Sequence, residues 1–293
     1  MDKKQNEANF FWSGDLSIYE LANFKSFKEN GFIVNVWIYL NEEKTNLNEF
    51  QEFNVKDASE ILDISMLKKF TQGNQKANLS SFSNIFRFQL LKKYGGWWFD
   101  ADCICLKNVD EFIKLANENE FVIGREYEDY TGSSVLFFNE TNILDTIVKE
   151  AWGKIEEKDF NFFWGEIGPD LISEIFLRDN LMTATFDESY FYKISADKFY
   201  LLFDNKNIHI EEYLNESYVC HYWNEMLNRS LIKKDTLPPE GSYMYKHLDR
   251  HLPSKDNLKI YRKIFFLRFN PFFKYLVRLF FRIKIIIKNF STR

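Results

Sequence analysis

Ser83-Asn84-Ile85-Phe86-Arg87-Phe88-Gln89-Leu90-Leu91-Lys92-Lys93-Tyr94-Gly95-Gly96-Trp97-Trp98-Phe99-Asp100-Ala101-Asp102 reads as a helix, a glycine stop and a short strand ending in two carboxylates. Ser83 is a good N-cap, and Gly95-Gly96 stand where a left-handed cap closes a helix, so the pattern predicts a helix over about 84–94. Ile85, Phe86, Phe88, Leu90 and Leu91 surround most of its circumference, which predicts burial. Asn84 and Arg87 share one side of it. A guanidinium in such a place needs an anion, and either a phosphate or a carboxylate would serve. Trp97-Trp98-Phe99 is too bulky for a turn and reads as strand, with Asp100 and Asp102 projecting from one face. Two hard oxygen donors at the carboxyl end of a strand suit Mg²⁺ or Mn²⁺ holding a phosphorylated ligand, at the place where open α/β sheets bind ligands.

Outward from this stretch the chain alternates strand and helix. Phe10-Phe11-Trp12 is a strand end, residues from Ser17 to Glu29 a helix closed by Asn30-Gly31, and residues 32–40 a buried strand, a β-α-β opening. Residues 50–55 offer a third strand, and Asp57 caps a helix after it. Beyond Asp102, residues 109–116 read as helix, 121–124 and 135–138 as strands, and 125–133 as a polar, acidic loop between them. Residues 141–158 form an amphipathic helix, Gly168-Pro169 turn into another, and Tyr218 to Asn224 is a strand with a polar exit that carries His221. A lone histidine in an aromatic strand is more often a hydrogen-bonded core residue than a ligand.

The 293 residues, 45% hydrophobic with 32 Phe and 15 Tyr, allow one large α/β domain with a sizeable core. The net charge of −5 conceals an asymmetry: ten Lys or Arg and no Asp or Glu follow from Lys259, against 28 basic and 43 acidic residues before it. Placed on a helix opened by Pro271, residues 271–288 gather Lys274, Arg278, Arg282, Lys284 and Lys288 in one arc opposite Phe and Ile, a basic amphipathic helix suited to an anionic membrane surface. The acidic body and that apolar face argue against nucleic acid. The expected division is a catalytic domain over 1–252 and a membrane-associating tail over 253–293. Cys103, Cys105 and Cys220 form neither a disulfide framework nor a zinc set and read as apolar packing. The charged amino terminus has no secretory pattern, and no uncharged apolar run is long enough to span a bilayer, so the expectation is a cytoplasmic body on the inner face of the cytoplasmic membrane.

Ser83-Asn84, Arg87-Phe88, Gly95-Gly96, Trp98 and Asp100-Ala101-Asp102 together resemble the sugar-binding region of Asp-x-Asp glycosyltransferases. The likeness is to the bacterial capsule and lipopolysaccharide enzymes related to the yeast mannosyltransferase and clostridial toxin glucosyltransferase groups. Asn84 stands where that family usually has Asp. The resemblance implies a GT-A type α/β fold and transfer from a nucleotide-sugar, a UDP-sugar in the first place, to a hydroxyl of a glycan or lipid-linked acceptor with retention. It implies a metal, Mn²⁺ or Mg²⁺, on Asp100, Asp102 and His221. It further implies donor contacts from Phe11, Trp12, Asn84, Arg87, Trp98 and Asp100, with Trp223 as a lid, and an acceptor side around Gly168 and Pro169. Glu126, Asp129 and Glu166 are the carboxylates available there. Two other readings are a non-catalytic sugar-binding protein at the membrane and an Asp-nucleophile phosphatase; the latter needs Thr where Ile104 stands.

Overall fold

A computed structural model describes residues 4–40, 46–71, 79–139, 142–163, 165–206, 209–230 and 232–252. The proposed tail, 253–293, lies outside them. The described residues form two compact units: residues up to Ile194 together with Tyr213–His221, and Ser195–Glu212 together with residues from Tyr222 onward.

The first unit opens as the alternation predicts. β1 (Glu7–Phe11), α1 (Ile18–Glu29) and β2 (Ile33–Ile38) make a parallel βαβ element. Ser17 starts α1 by accepting the Tyr19 N–H at 3.2 Å, and Gly31 leaves it at a φ of 95°. The third strand falls later than predicted. Phe50, fully buried, closes a 3₁₀ turn, and β3 (Asn54–Asp57) pairs parallel with β2 only after it. α2 (Ile64–Thr71) follows.

α3 (Leu79–Tyr94) begins one turn before the predicted start, so Ser83 is an interior residue and not a cap. The reason is Phe82, which is fully buried against Phe11, Phe70 and Phe86; continuing the helix backwards is what brings it there. The rest of α3 is buried almost all round, as its pattern requires. β4 (Trp97–Phe99) then enters the sheet parallel to β1. Gly96 allows this with a φ of 81° and by lacking a Cβ, which would lie 2.9 Å from Asn9 Nδ2.

Buried asparagines lock the register of these strands. Asn9 donates to Trp97 O at 3.0 Å and accepts from Asn35 at 3.1 Å and from Trp37 Nε1 at 3.0 Å, while Asn54 donates to Asn35 at 2.6 Å. Each buried amide is satisfied by a neighbour strand, so a slip by one residue would orphan several of them.

β5 (Cys103–Cys105), α4 (Val109–Glu118), β6 (Phe121–Tyr127), β7 (Tyr130–Phe138), α5 (Asn142–Lys158), α6 (Pro169–Arg178), α7 (Glu188–Phe191) and β8 (Val219–His221) complete the unit. The main sheet has the order β3-β2-β1-β4-β7-β6, with β7 antiparallel to both β4 and β6. β5 pairs antiparallel with β8 in a separate two-stranded ribbon. The polar segment 125–133 is mostly strand: β6 and β7 pair as far as Tyr127 and Tyr130, leaving a two-residue tip. Thr131, Ser133 and Ser134 are buried polar residues in that hairpin, which a reading of apolar runs misses.

In the second unit, the helix Tyr243–His251 packs on the 3₁₀ segment Ala196–Phe203, with Lys246 paired to Glu211 at 2.9 Å. Trp223 precedes the short helix Asn224–Arg229 in the left-handed region, at φ 60° and ψ 69°.

Candidate active site

Asp100 and Asp102 do not continue a strand. They occupy a turn between β4 and β5 closed by a Cys103 N–H to Asp100 O bond of 3.0 Å and steadied by Asn23 donating to Ala101 O at 2.7 Å. The turn forms because β5 leaves the main sheet to pair with β8, so the chain must bend at its acidic residues. Its position, at the carboxyl end of a central parallel strand, is the predicted one.

Each carboxylate has a cationic or potentially cationic partner. Arg87 Nη1 lies 3.1 Å from Asp100 Oδ1, with the guanidinium over the Trp98 ring at 4.9 Å, and Trp98 Nε1 donates to the same oxygen at 2.8 Å. Of the two anions the sequence allowed for Arg87, the fold supplies the carboxylate. The remaining guanidinium donors meet Ser133 O, Ser133 Oγ at 3.0 Å, Ser83 O at 3.1 Å and Ser83 Oγ at 3.1 Å. Arg87 is 3% exposed and completely enclosed by acceptors.

Asp102 Oδ1 lies 3.0 Å from His221 Nε2. The ribbon explains this pairing across the chain, since its register sets Cys103 opposite His221. Burial works against the imidazolium, but Asp102 first, then Asp100 and Glu126, outweigh it and raise His221 above its ordinary value. Ser134 joins the two halves of the site. Its carbonyl accepts from Asp100 N–H at 2.8 Å, its hydroxyl is 3.4 Å from His221 Nε2, and its N–H donates to the Tyr192 hydroxyl at 3.0 Å. Tyr192 lies edge-on to His221 at 5.9 Å with its hydroxyl end against Gly132, where a Cβ would fall 2.2 Å from the hydroxyl. Ser133, Ser134 and Tyr192 have no motif around them in the sequence; the unusual run Gly132-Ser133-Ser134 before an apolar strand was the only signal.

The donor chemistry fits a divalent cation in part. Asp102, His221 and Cys103 offer ligand atoms within 4.8 Å of one another. Carboxylate and imidazole suit Mn²⁺. The thiol does not, because burial, then Asp102 and Asp100, push it well above its ordinary value and keep it protonated. Asp100 stands outside that cluster, its Oδ1 turned toward Arg87 and Trp98.

The other predicted residues divide clearly. Phe11 is core, packed on Phe82 and Phe86. Trp12 is half-buried at the end of β1, its Nε1 held by Gly14 O at 3.1 Å and Asp15 O at 3.3 Å. Trp98 is 1% exposed and acts on Asp100 from beneath. Asn84 is buried against Gly168, where a Cβ would meet its Nδ2 at 2.3 Å, and Pro169 opens α6 directly after. Glu166 is tied to Lys158 and to Phe163 N–H at 2.8 Å. Asp129 is exposed at the hairpin tip. Glu126 is the carboxylate that belongs with the site: burial, opposed by His221 and reinforced by Asp100 and Asp170, pushes it up to about 7. Trp223 belongs to the second unit.

A mixed sheet thus carries an acidic turn at the carboxyl end of a central strand, backed by a buried arginine and by a histidine from a late strand. The chain belongs to the capsular polysaccharide synthesis protein family, whose model matches residues 43–248. No curated protein matches it by sequence. Solved structures similar to it include the PaToxG glycosyltransferase, at 15% identity and a TM-score of 0.42, covering 84% of this chain and 85% of that one. The bifunctional glycosyltransferase WbbM is similar at 11% identity and 0.49, over 85% of this chain and 50% of that one. GlyE of Streptococcus pneumoniae is similar at 14% and 0.45, over 84% and 62%. The family match assigns the chain to capsular polysaccharide synthesis; likeness at these TM-scores adds no argument to it.

Proposed function

We propose that this capsule-family glycosyltransferase takes a UDP-sugar as donor, with a divalent metal on Asp102, His221 and Asp100, and transfers the sugar with retention to a hydroxyl of a glycan or lipid-linked acceptor. The observation that carries the proposal is the pairing of Asp102 with the buried His221 at 3.0 Å beside the Arg87–Asp100 ion pair at 3.1 Å. Bound Mn²⁺ or Mg²⁺ would supply Lewis-acid stabilisation of the negative charge that develops on the departing diphosphate.

The protein's own groups do the rest. In the transfer, the bond from the anomeric carbon to the diphosphate oxygen breaks, a bond to the acceptor oxygen forms, and the acceptor proton passes to the departing diphosphate oxygen. Arg87 partly offsets the charge of Asp100, so the site tolerates several carboxylates at close quarters without expelling an anionic ligand. Trp98 and Ser134 hold the turn, so its donors are oriented before a ligand arrives. Trp12 offers its ring to the base. Among the described residues no helix is long and apolar enough to cross a membrane. The basic segment 271–288 is proposed to hold the enzyme on the anionic inner face of the cytoplasmic membrane; Lys274, Arg278 and Arg282 changed together to Gln should release it from anionic vesicles.

The test of the donor site is calorimetric titration of the purified chain with UDP and UDP-sugars, with and without Mn²⁺, alongside Asp102→Asn. Metal-dependent binding that weakens at least about tenfold in the variant supports the proposal. Binding of UDP-sugars that is indifferent to both metal and Asp102 would reject the metal role, and no binding of any uridine nucleotide would reject the donor.

A further inference from the structure

The hairpin of β6 and β7 does not run evenly to its tip. Its register shifts between Ile123 and Arg125 and again between Arg125 and Tyr127. Such irregularities turn side chains out of strict alternation and are over-represented beside active sites. Past them, two side chains form a group with the first turn of α6. The rings of Tyr127 and Tyr130 stack at 5.5 Å with their planes 29° apart. The Tyr130 hydroxyl donates to Asp170 Oδ1 at 2.7 Å, so the lower ring is fixed. The upper ring is open: Tyr127 keeps 60% of its surface exposed. Glu126 links this group to the acidic turn, since its half-buried carboxyl feels Asp170 as well as Asp100 and His221.

An exposed aromatic face, held rigid from below and bordered by carboxylates, has the chemistry of a pyranose platform. The C–H face of the sugar lies on the ring, and its hydroxyls donate to the carboxylate oxygens. Local charge then selects among sugars. Asp100, Asp102, Glu126 and Asp170 stand here together, with Glu128 and Asp129 at the tip. The cations nearby are engaged, Arg87 with Asp100 and His221 with Asp102. Arg125, which donates to Glu128 O at 3.4 Å, adds a third cation against those six carboxylates. Among the described residues the carboxylates outnumber the cations here, so an acidic sugar would meet net like charge.

We propose that Tyr127, Tyr130, Glu126 and Asp170 form the acceptor subsite, and that it takes an uncharged pyranose ring stacked on Tyr127 while excluding uronic and sialic acids. The subsite rests on the glycosyltransferase reading above and names the class of acceptor for that same site.

The experiment is saturation-transfer difference NMR on the full chain with the methyl glycosides of glucose, galactose and mannose and with methyl glucuronide, comparing wild type, Tyr127→Phe and Tyr127→Ala. At least one neutral pyranoside should receive saturation from the wild type and from Tyr127→Phe, which keeps the ring. Its signal should fall at least about fivefold in Tyr127→Ala, the size of effect expected from losing one aromatic platform. Methyl glucuronide should receive none. Equal transfer in Tyr127→Ala, equal transfer to the glucuronide, or no transfer to any neutral pyranoside in the wild type would each overturn the subsite. The donor titration of the wild type separates the two ideas: UDP-sugar binding without pyranoside binding rejects the subsite alone, whereas pyranoside binding without any nucleotide binding rejects the transferase reading and leaves a sugar-binding face.

Discussion

At the turn of residues 100–102 each carboxylate is paired within 3.1 Å and the groups behind it are buried, whereas 25 residues further on the hairpin tip leaves Tyr127 and Asp129 open to water. Both regions are acidic and both adjoin β7. The turn is held by Arg87, Trp98, Ser134 and Tyr192, so its geometry exists before any ligand binds. The tip has an aromatic stack and carboxylates whose outer members, Tyr127 and Asp129, are exposed. Preorganised charge suits a reaction that is the same at every turnover, and an open platform suits recognition of a partner that must arrive and leave.

Arg87→Met tests the turn most severely. It leaves Asp100 without its counter-ion and strands the Ser83 and Ser133 acceptors, so a loss of about 3 kcal/mol is expected in urea unfolding, with activity abolished. A loss below about 1 kcal/mol would mean that the pair is not formed in solution. Gly132→Ala is the next test. The added Cβ would fall 2.2 Å from the Tyr192 ring, and overpacking there should destabilise by about 1–3 kcal/mol. Combining it with Tyr192→Leu should recover part of that loss, a coupling that a double-mutant cycle measures.

Glu126 lies between the two regions, and its titration reports on both. Its carboxyl is raised from the ordinary 4.5 to about 7, so the native state favours the neutral form. The associated stability is fully present below pH 4.5 and is lost as pH rises through about 7. Wild type should therefore lose on the order of 2 kcal/mol relative to Glu126→Gln between pH 5 and pH 8, by urea unfolding at each pH. Identical pH profiles would place Glu126 in water, away from Asp100 and Asp170. The smallest effect belongs to the tip. Asp129→Asn should change stability by less than about 0.5 kcal/mol and leave donor binding unaltered, in contrast with Asp102→Asn.

Much of the fold could be read from local pattern. The Gly95-Gly96 stop, the aromatic strand and the acidic pair follow one another in the structure as in the sequence, and the opening βαβ element has its predicted order. The misreadings share a cause. Ser83 as a cap, a strand over 50–55 and a loop over 125–133 each came from polar or apolar character judged over a few residues. In each case a distant partner decided otherwise: the aromatic cluster around Phe82, the buried Phe50, and the Tyr192 and α6 contacts of the hairpin.

The site divides along the same line. Spacing alone establishes the two carboxylates and the buried arginine, because these depend on neighbours in the chain and on the periods of helix and strand, and the family likeness rests on the resemblance of that same motif. Which anion Arg87 would meet stayed open until the sheet brought Asp100 to it. The Asp102–His221 pair spans 119 positions and exists because the β5–β8 register sets Cys103 opposite His221. Ser133, Ser134 and Tyr192 act through backbone groups and close packing, which leave no pattern in sequence. Contacts of that kind are settled by register and by the exclusion of overlapping atoms, and both are properties of the packed chain rather than of any segment of it.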